Sequence, residues 1–322
     1  MDVHPFIAAL RSDRAPQRQA QAAMDAARLA WREEPGASEA MEDLRRYGAG
    51  APIEACATLE SIFTAGDEAS RLMGLLSEHF CAAIVANPIG HPPFRNGFDG
   101  NAASILLARS GRAQLMIQSR DPGRFDIATY AFSDAVRYDA VLAGKATARL
   151  VHASQLTGRA LRFSTQKLDL AGGGRFAVDL ATEALVVDEV ERRLVTLRLL
   201  REDAEPQPSR VHDADTGALL HRSAARIASS RREAIVALLG RMGRADAAPQ
   251  MAQIALGGED SSLRWQALRE CIALDTSCGF TALTTIARRG DDPLCANAGA
   301  LRAQLLETHP ELLELEASQC PV

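Results

Sequence analysis

The sequence predicts an α+β protein with more than one domain: a helical N-terminal segment, a central antiparallel β domain and a C-terminal array of helices. Three observations lead to this prediction. Apolar residues recur at helical spacing near the N-terminus, short strand-like runs separated by turn residues follow, and helical spacing then returns. The predicted boundaries are 1–86, 87–205, 206–228 and 229–322.

Helices in the N-terminal segment are predicted from apolar residues three or four positions apart, such as Leu72, Leu75 and Phe80. Proline and glycine residues interrupt this pattern at several points, for example at Pro35 and Gly36. We therefore expect several short helices in residues 1–86 instead of one long helix.

The central segment is predicted to be an antiparallel β-barrel or sandwich. Pro88, Pro92 and Pro93 prevent a helix from continuing through the start of this segment. Short alternating or β-branched runs follow, and the first two, 104–109 and 113–118, are predicted to form a hairpin. So many short strands with glycine-containing turns resemble the cupin and jelly-roll proteins.

Residues 206–228 are predicted to be a linker that contains a hairpin. Asp213, Asp215 and Gly217 suit a tight turn with glycine in the left-handed conformation. A calcium-binding loop is the alternative for the same residues, but the glutamate that ends an EF-hand loop is missing from the pattern.

The C-terminal helices are predicted to repeat. Ala234, Ala267 and Ala298 begin similar apolar stretches that lie about 32 residues apart. The acidic loop 258–260 recurs as 290–292 in the same register. Helix pairs of this length bury their apolar faces by stacking on neighbouring pairs.

Residues 260–274 resemble HEAT-like α-helical repeats, because an acidic loop leads into a first helix that carries arginine. The resemblance covers the C-terminal third and implies a surface for protein contact. Trp and Arg dominate the energetics of protein interfaces. Arg264, Trp265 and Arg269 are therefore the predicted partner-binding residues.

A metal-dependent enzyme or a small-ligand sensor, with its pocket inside the β domain, is the alternative function. The cupin resemblance implies a metal held by histidine and carboxylate side chains. The histidines here are isolated and no His-x-His pair occurs, so the first interpretation includes no cofactor. In the alternative, a single divalent metal would be bound by His91, His152, Glu183 and Asp188.

Composition limits the classes of partner. The formal net charge of −5 does not suit a duplex-DNA binder, and the arginine-rich stretches 109–124 and 222–232 are interpreted as solvent-exposed. No apolar run reaches the length of a membrane span, and neither a signal peptide nor a C-x-x-C pair is evident. We expect a cytoplasmic, non-catalytic scaffold that binds another protein or peptide.

Overall fold

The computed structural model describes residues 13–64, 66–155, 160–223, 227–258 and 260–314. The chain divides into two compact units. The first unit comprises residues 1–206 and 210–221, and the second comprises residues 207–209 and 222–322. The predicted helical segment and the predicted β domain therefore belong to one unit, because helices and strands share one hydrophobic core.

The N-terminal part of the first unit consists of short helices, as the spacing predicts. They are α1 (Ala15–Glu33), α2 (Ala37–Ala49), α3 (Ala57–Thr64) and α4 (Glu68–Ala86), with a 3-10 turn at Ile53–Ala55. Gly36 separates α1 from α2 with φ of 87°, a conformation that favours glycine. Met24 and Trp31 of α1 and Leu44 of α2 are fully buried in the shared core.

The rest of the first unit is built from strands. They are β1 (Arg95–Phe98), β2 (Ala102–Ser110), β3 (Ala113–Arg120), β4 (Gly123–Arg124), β5 (Thr129–Phe132), β6 (Ala135–Gln155), β7 (Leu161–Ala171), β8 (Arg175–Asp179), β9 (Glu183–Glu202), β10 (Ser209–Asp213) and β11 (Leu219–Ser223). The first pair, β2 and β3, forms the predicted antiparallel hairpin.

The large sheet has the strand order β1-β2-β3-β9-β6-β7, with β4 beside β9 and β8 beside β6. The long strands β6 and β9 pair along most of their length, and their register shifts at several points between Val141 and Ala148. Gly144 lies in this irregular stretch, where a Cβ atom would be 2.2 Å from the carbonyl oxygen of Arg193. In the described residues β1 and β7 do not pair with each other, so the predicted antiparallel sheet is present but is not a closed barrel.

A second sheet has the order β11-β10-β5. The turn before β11 contains Gly217 with φ of 70°, which agrees with the predicted hairpin. Tyr130 and Phe132 of β5 pack with Val151 and Val186 of the large sheet in one apolar cluster. The two sheets therefore contact each other, as in a sandwich.

The two faces of the large sheet differ because side chains alternate along each strand. Tyr138 and Ala140 of β6 and Leu197 and Leu199 of β9 belong to the core shared with the N-terminal helices. The residues between them point to the opposite face of the sheet.

The second unit is helical. Its elements are α5 (Ile227–Arg241), α6 (Ala248–Leu256), α7 (Ser261–Leu274), α8 (Thr276–Arg288) and α9 (Cys295–Thr308), with 3-10 turns at Ala245–Ala247 and Pro310–Leu312. Helix α7 packs against α5, α6 and α8, and α8 packs against α9. Membership of the HEAT-like repeats stays a prediction. Within the described ranges, no helix has both the length and the apolar character that crossing a membrane requires.

Candidate functional site

A cavity of about 150 Å³ lies on the face of the large sheet opposite the N-terminal helices. We call it the arginine cavity. Its polar lining includes Asp99, Gln118, Arg120, Arg137, Thr196 and Arg198. Its apolar lining includes Leu170, Phe176, Leu185, Val187 and Leu194. Side chains from β3, β6, β7, β8 and β9 therefore meet here.

Strand register brings the polar side chains together. Asp139 of β6 is paired with Arg198 of β9, and Gln118 of β3 is paired with Thr196. Arg137 lies two positions before Asp139 and is on the same face of β6, because side chains on a strand repeat every two residues. The polar patch thus spans three neighbouring strands.

Asp139 is fully buried and is shared by two arginines. Arg198 forms two hydrogen bonds with Asp139: Nε donates to Oδ1 at 2.6 Å, and Nη2 donates to Oδ2 at 3.1 Å. The Nε atom of Arg137 lies 2.8 Å from Oδ2, an ion-pair contact without the alignment of a hydrogen bond. One carboxylate therefore faces two guanidinium groups.

Arg137 is the member of this cluster whose charge is least compensated. Its side chain is 11% exposed, and its buried Nη2 atom has no hydrogen-bond partner among the described residues. Burial lowers the pKa of Arg137 to about 10, the positive charge of Arg198 lowers it too, and Asp139 opposes both effects. The group is still protonated at neutral pH, so a buried donor and a charge remain to be satisfied.

Arg120 adds a third guanidinium to the arginine cavity. Burial lowers the pKa of Arg120, and the charge of Arg198 acts in the same direction, whereas Asp99 raises it. The guanidinium carbon of Arg120 lies 5.1 Å from the centre of the Phe125 ring, within the range of a cation–π contact. This part of the structure therefore contains three guanidinium groups and the two carboxylates of Asp99 and Asp139. Its formal net charge is one positive charge.

This arrangement suits binding of an anion. A guanidinium recognises carboxylate and phosphate groups through charge-assisted hydrogen bonds, which strengthen where water is excluded. None of the described lining residues is a histidine or a cysteine. The chemistry that the arginine cavity offers is therefore recognition of a negatively charged group beside an apolar wall.

Sequence reasoning missed the central residues of this site. Arg137, Asp139 and Arg198 were not singled out, and Arg120 was interpreted as solvent-exposed, although it lines the cavity. A usable signal was present in the first half of β6, where two opposite charges lie two positions apart in the otherwise apolar stretch 135–144. On a strand with this spacing, both side chains share one face.

The predicted metal ligands do not converge. His152 Nδ1 lies 3.0 Å from Glu183 Oε1, but the Asp188 carboxylate is bound by Arg149, whose Nη2 donates to Oδ1 at 2.7 Å. His91 is exposed in the loop after α4. Across the described part of the chain, no group of three or more His, Cys, Asp or Glu side chains could hold a metal ion. The proposed ligand set is corrected accordingly: only His152 and Glu183 come together.

The predicted partner-binding residues have different environments. Arg264 is buried, its Nε donates to the Ala255 carbonyl oxygen at 2.9 Å, and its Nη2 pairs with Asp292. It is therefore an interior residue, not the surface contact that the sequence predicted. Trp265 is half-buried against the helical core, and Arg269 is exposed. Binding of a partner protein by the second unit stays a prediction.

Comparison with known proteins gives no family. No protein-family model matches this chain, and no curated protein matches it. Solved structures with partial likeness include a cupin superfamily protein from Desulfitobacterium hafniense, at 17% identity over 33% of this chain and 83% of that chain, with a TM-score of 0.25.

Two further likenesses cover less than half of the other chain. The 7S globulin of Momordica charantia is 13% identical over 38% of this chain and 36% of that chain, with a TM-score of 0.28. The capsular polysaccharide assembling protein CapF from Staphylococcus aureus is 12% identical over 49% of this chain and 41% of that chain, with a TM-score of 0.29. Likeness at this level assigns no function to this chain.

Proposed function

We propose that this protein binds a small organic anion in the arginine cavity and acts as a ligand-binding or ligand-sensing protein. The observation that carries the proposal is the buried Nη2 donor of Arg137, which has no partner in the described part of the chain. A buried ionised group without compensation destabilises a fold by several kcal/mol. An anion in the cavity beside the Arg137 guanidinium would supply negative charge that the shared Asp139 carboxylate does not provide alone.

The charge environment supports an anion over a neutral ligand. Arg198 is already occupied by Asp139 in a two-point contact, whereas Arg137 makes only one ion-pair contact with the same carboxylate. Arg120 brings further positive charge to the same cavity wall. A bound negative charge would therefore interact with at least two guanidinium groups that one buried carboxylate does not neutralise.

This proposal develops the ligand-sensor half of the alternative that the sequence left open. It assigns the second unit no part in ligand binding. The metal-dependent half of that alternative has less support, since the donor groups in the described residues do not converge on one point.

Thermal unfolding with and without added anions tests the proposed function. We expect sodium salts of acetate, benzoate, succinate or phosphate to raise the melting temperature of the intact protein, in a series kept at constant ionic strength. Arg137→Met should abolish this increase, because it removes the donor but keeps an apolar stem of similar length. Arg124→Met is the matched control, since the Arg124 side chain is 84% exposed and lies outside the cavity.

The proposal fails if none of these anions raises the melting temperature of the wild-type protein. It also fails if Arg137→Met responds to the anions as the wild type does. In the first case no anion is bound, and in the second the anion is bound elsewhere.

A further inference from the structure

The size of the arginine cavity limits the ligand. Its volume of about 150 Å³ equals that of an engineered apolar cavity known to bind benzene. A six-membered ring or a branched chain of similar size fills such a space. Nucleotides and oligosaccharides are several times larger.

An open groove adjoins the cavity. It has a volume of about 300 Å³, runs along β1 and β2, and shares Asp99, Ala102 and Gln118 with the cavity lining. Phe98 lies on this groove and is 73% exposed. A ligand would enter the arginine cavity from this groove.

The charge of the site limits the ligand to a monoanion. Asp139 and Asp99 offset two of the three lining arginines, so one negative charge completes the balance. A phosphate dianion or a dicarboxylate would place a second negative charge close to the buried Asp139 carboxylate. Like charges in a site of low dielectric constant repel strongly.

The remaining wall is apolar and lies close to the charged cluster. Phe176 of β8 is paired in register with Asp139, and its side chain lines the same cavity as Arg137. Leu185, Val187 and Leu194 of β9 complete this wall. A ligand whose charged group contacts Arg137 therefore has its body against apolar side chains, where burial favours hydrocarbon.

From these three limits we propose that the ligand is a monocarboxylate with an apolar body of about the size of one ring, an inference that rests on the proposed function. The carboxylate lies against the guanidinium group of Arg137. The body packs on Phe176 and on the aliphatic side chains of β9. Aromatic, cycloalkyl and branched-chain carboxylic acids belong to this class.

Isothermal titration calorimetry of the intact protein tests this class with defined probes. Benzoate represents the ligand, acetate lacks the body, benzamide lacks the charge, and succinate and inorganic phosphate carry excess charge. We expect benzoate to bind roughly tenfold or more tightly than each of the other four. The ranking is measured on the wild-type protein, so it does not depend on a variant that folds.

A matched pair of variants locates the body of the ligand. Val187→Thr keeps the side-chain volume but places a hydroxyl group in the apolar wall, and should weaken benzoate binding several-fold while leaving acetate binding unchanged. Val195→Thr makes the same change at a position of β9 outside the cavity lining and should leave both affinities unchanged.

The outcomes separate this inference from the proposed function. If phosphate or succinate binds more tightly than benzoate and Arg137→Met abolishes that binding, an anion site is present but the monocarboxylate class is wrong. If benzoate and acetate bind equally, the apolar wall does not contribute and the inference is wrong. If no anion binds at all, the proposed function fails.

Discussion

The two units each bury an arginine–aspartate cluster, and the two clusters differ in how completely they are satisfied. In the second unit, Arg264 and Asp292 form a one-to-one pair in which each side chain is 7% exposed, and Arg264 also donates to a backbone carbonyl. In the first unit, Asp139 is shared by Arg137 and Arg198 beside a cavity.

This difference distinguishes a structural ion pair from a binding site. A pair that is balanced in charge and in hydrogen bonds fixes the packing of the groups that hold it. A cluster with excess charge, a buried donor and adjacent space can gain stability from a ligand, because the ligand supplies what the fold does not. Burial of arginine alone does not separate the two cases.

The largest effect is expected at the balanced pair. Arg264→Met should lower the free energy of unfolding of the second unit by about 3–5 kcal/mol, since Asp292 would keep a buried charge without its partner. Hydrogen exchange of the α7 amides measures this locally. The double variant Arg264→Met with Asp292→Leu should recover part of this loss, because it leaves no buried charge unpaired. A loss under about 1 kcal/mol in Arg264→Met alone would contradict a structural role for the ion pair.

The stability that the pair of Arg264 and Asp292 contributes should decrease at acidic pH. The hydrogen bond from Arg264 lowers the pKa of Asp292 below its usual 3.8. A carboxyl group with a lowered folded pKa stabilises the fold above its unfolded pKa and loses this contribution as pH falls through the folded pKa. The difference in stability between wild type and Asp292→Asn should thus be constant near neutrality and shrink below about pH 4.

The next effect is expected at the shared carboxylate. Asp139→Asn should lower the free energy of unfolding of the first unit by about 2–3 kcal/mol, because Arg137 and Arg198 would face each other without a counter-charge. Arg137 and Arg198 are 11% and 18% exposed, against 7% for Arg264, so we expect a smaller loss than at the pair of Arg264 and Asp292. Added benzoate should restore more stability in this variant than in wild type, and chemical denaturation with and without benzoate measures both quantities.

A change of opposite sign is expected at Arg137. The folded pKa of Arg137, about 10, lies below the usual 12.5, so the charged side chain destabilises the fold at neutral pH. This penalty decreases only as the pH rises through about 10. Arg137→Met should therefore raise the free energy of unfolding by about 1–2 kcal/mol while it removes anion binding. If Arg137→Met lost as much stability as Arg264→Met, both clusters would be structural ion pairs, and the proposed difference between them would be wrong.

Secondary structure was predicted from the sequence better than the contacts between side chains that are distant in the chain. Helical spacing in the N-terminal segment and the turn at Gly217 are local patterns, and the structure shows both. The contact between Asp139 and Arg198 joins residues 59 positions apart, and only the pairing of β6 with β9 brings them together. No local pattern specifies strand order, so the arginine cavity could not be assembled from the sequence.

The error at Arg264 has a different physical origin. Arginine is usually exposed, which favoured a surface role, but a partner 28 residues away in the next acidic loop allows this side chain to be buried. The repeat register placed Asp292 at the position equivalent to Asp260. The repeat register could therefore have predicted the pair of Arg264 and Asp292, because an acidic residue repeated beside a buried helix can serve as the counter-ion of an arginine.

The smallest effect is expected at an ion pair on the surface. Arg124 lies 3.0 Å from Glu189, and the two side chains are 84% and 39% exposed. Ion pairs of this kind contribute little, because water solvates both partners and salt screens them. Arg124→Met should change the free energy of unfolding by less than about 0.5 kcal/mol and leave benzoate affinity unchanged. A larger loss of affinity would mean that the general positive field of the first unit attracts the anion, and the contrast between the two buried clusters would then not explain binding.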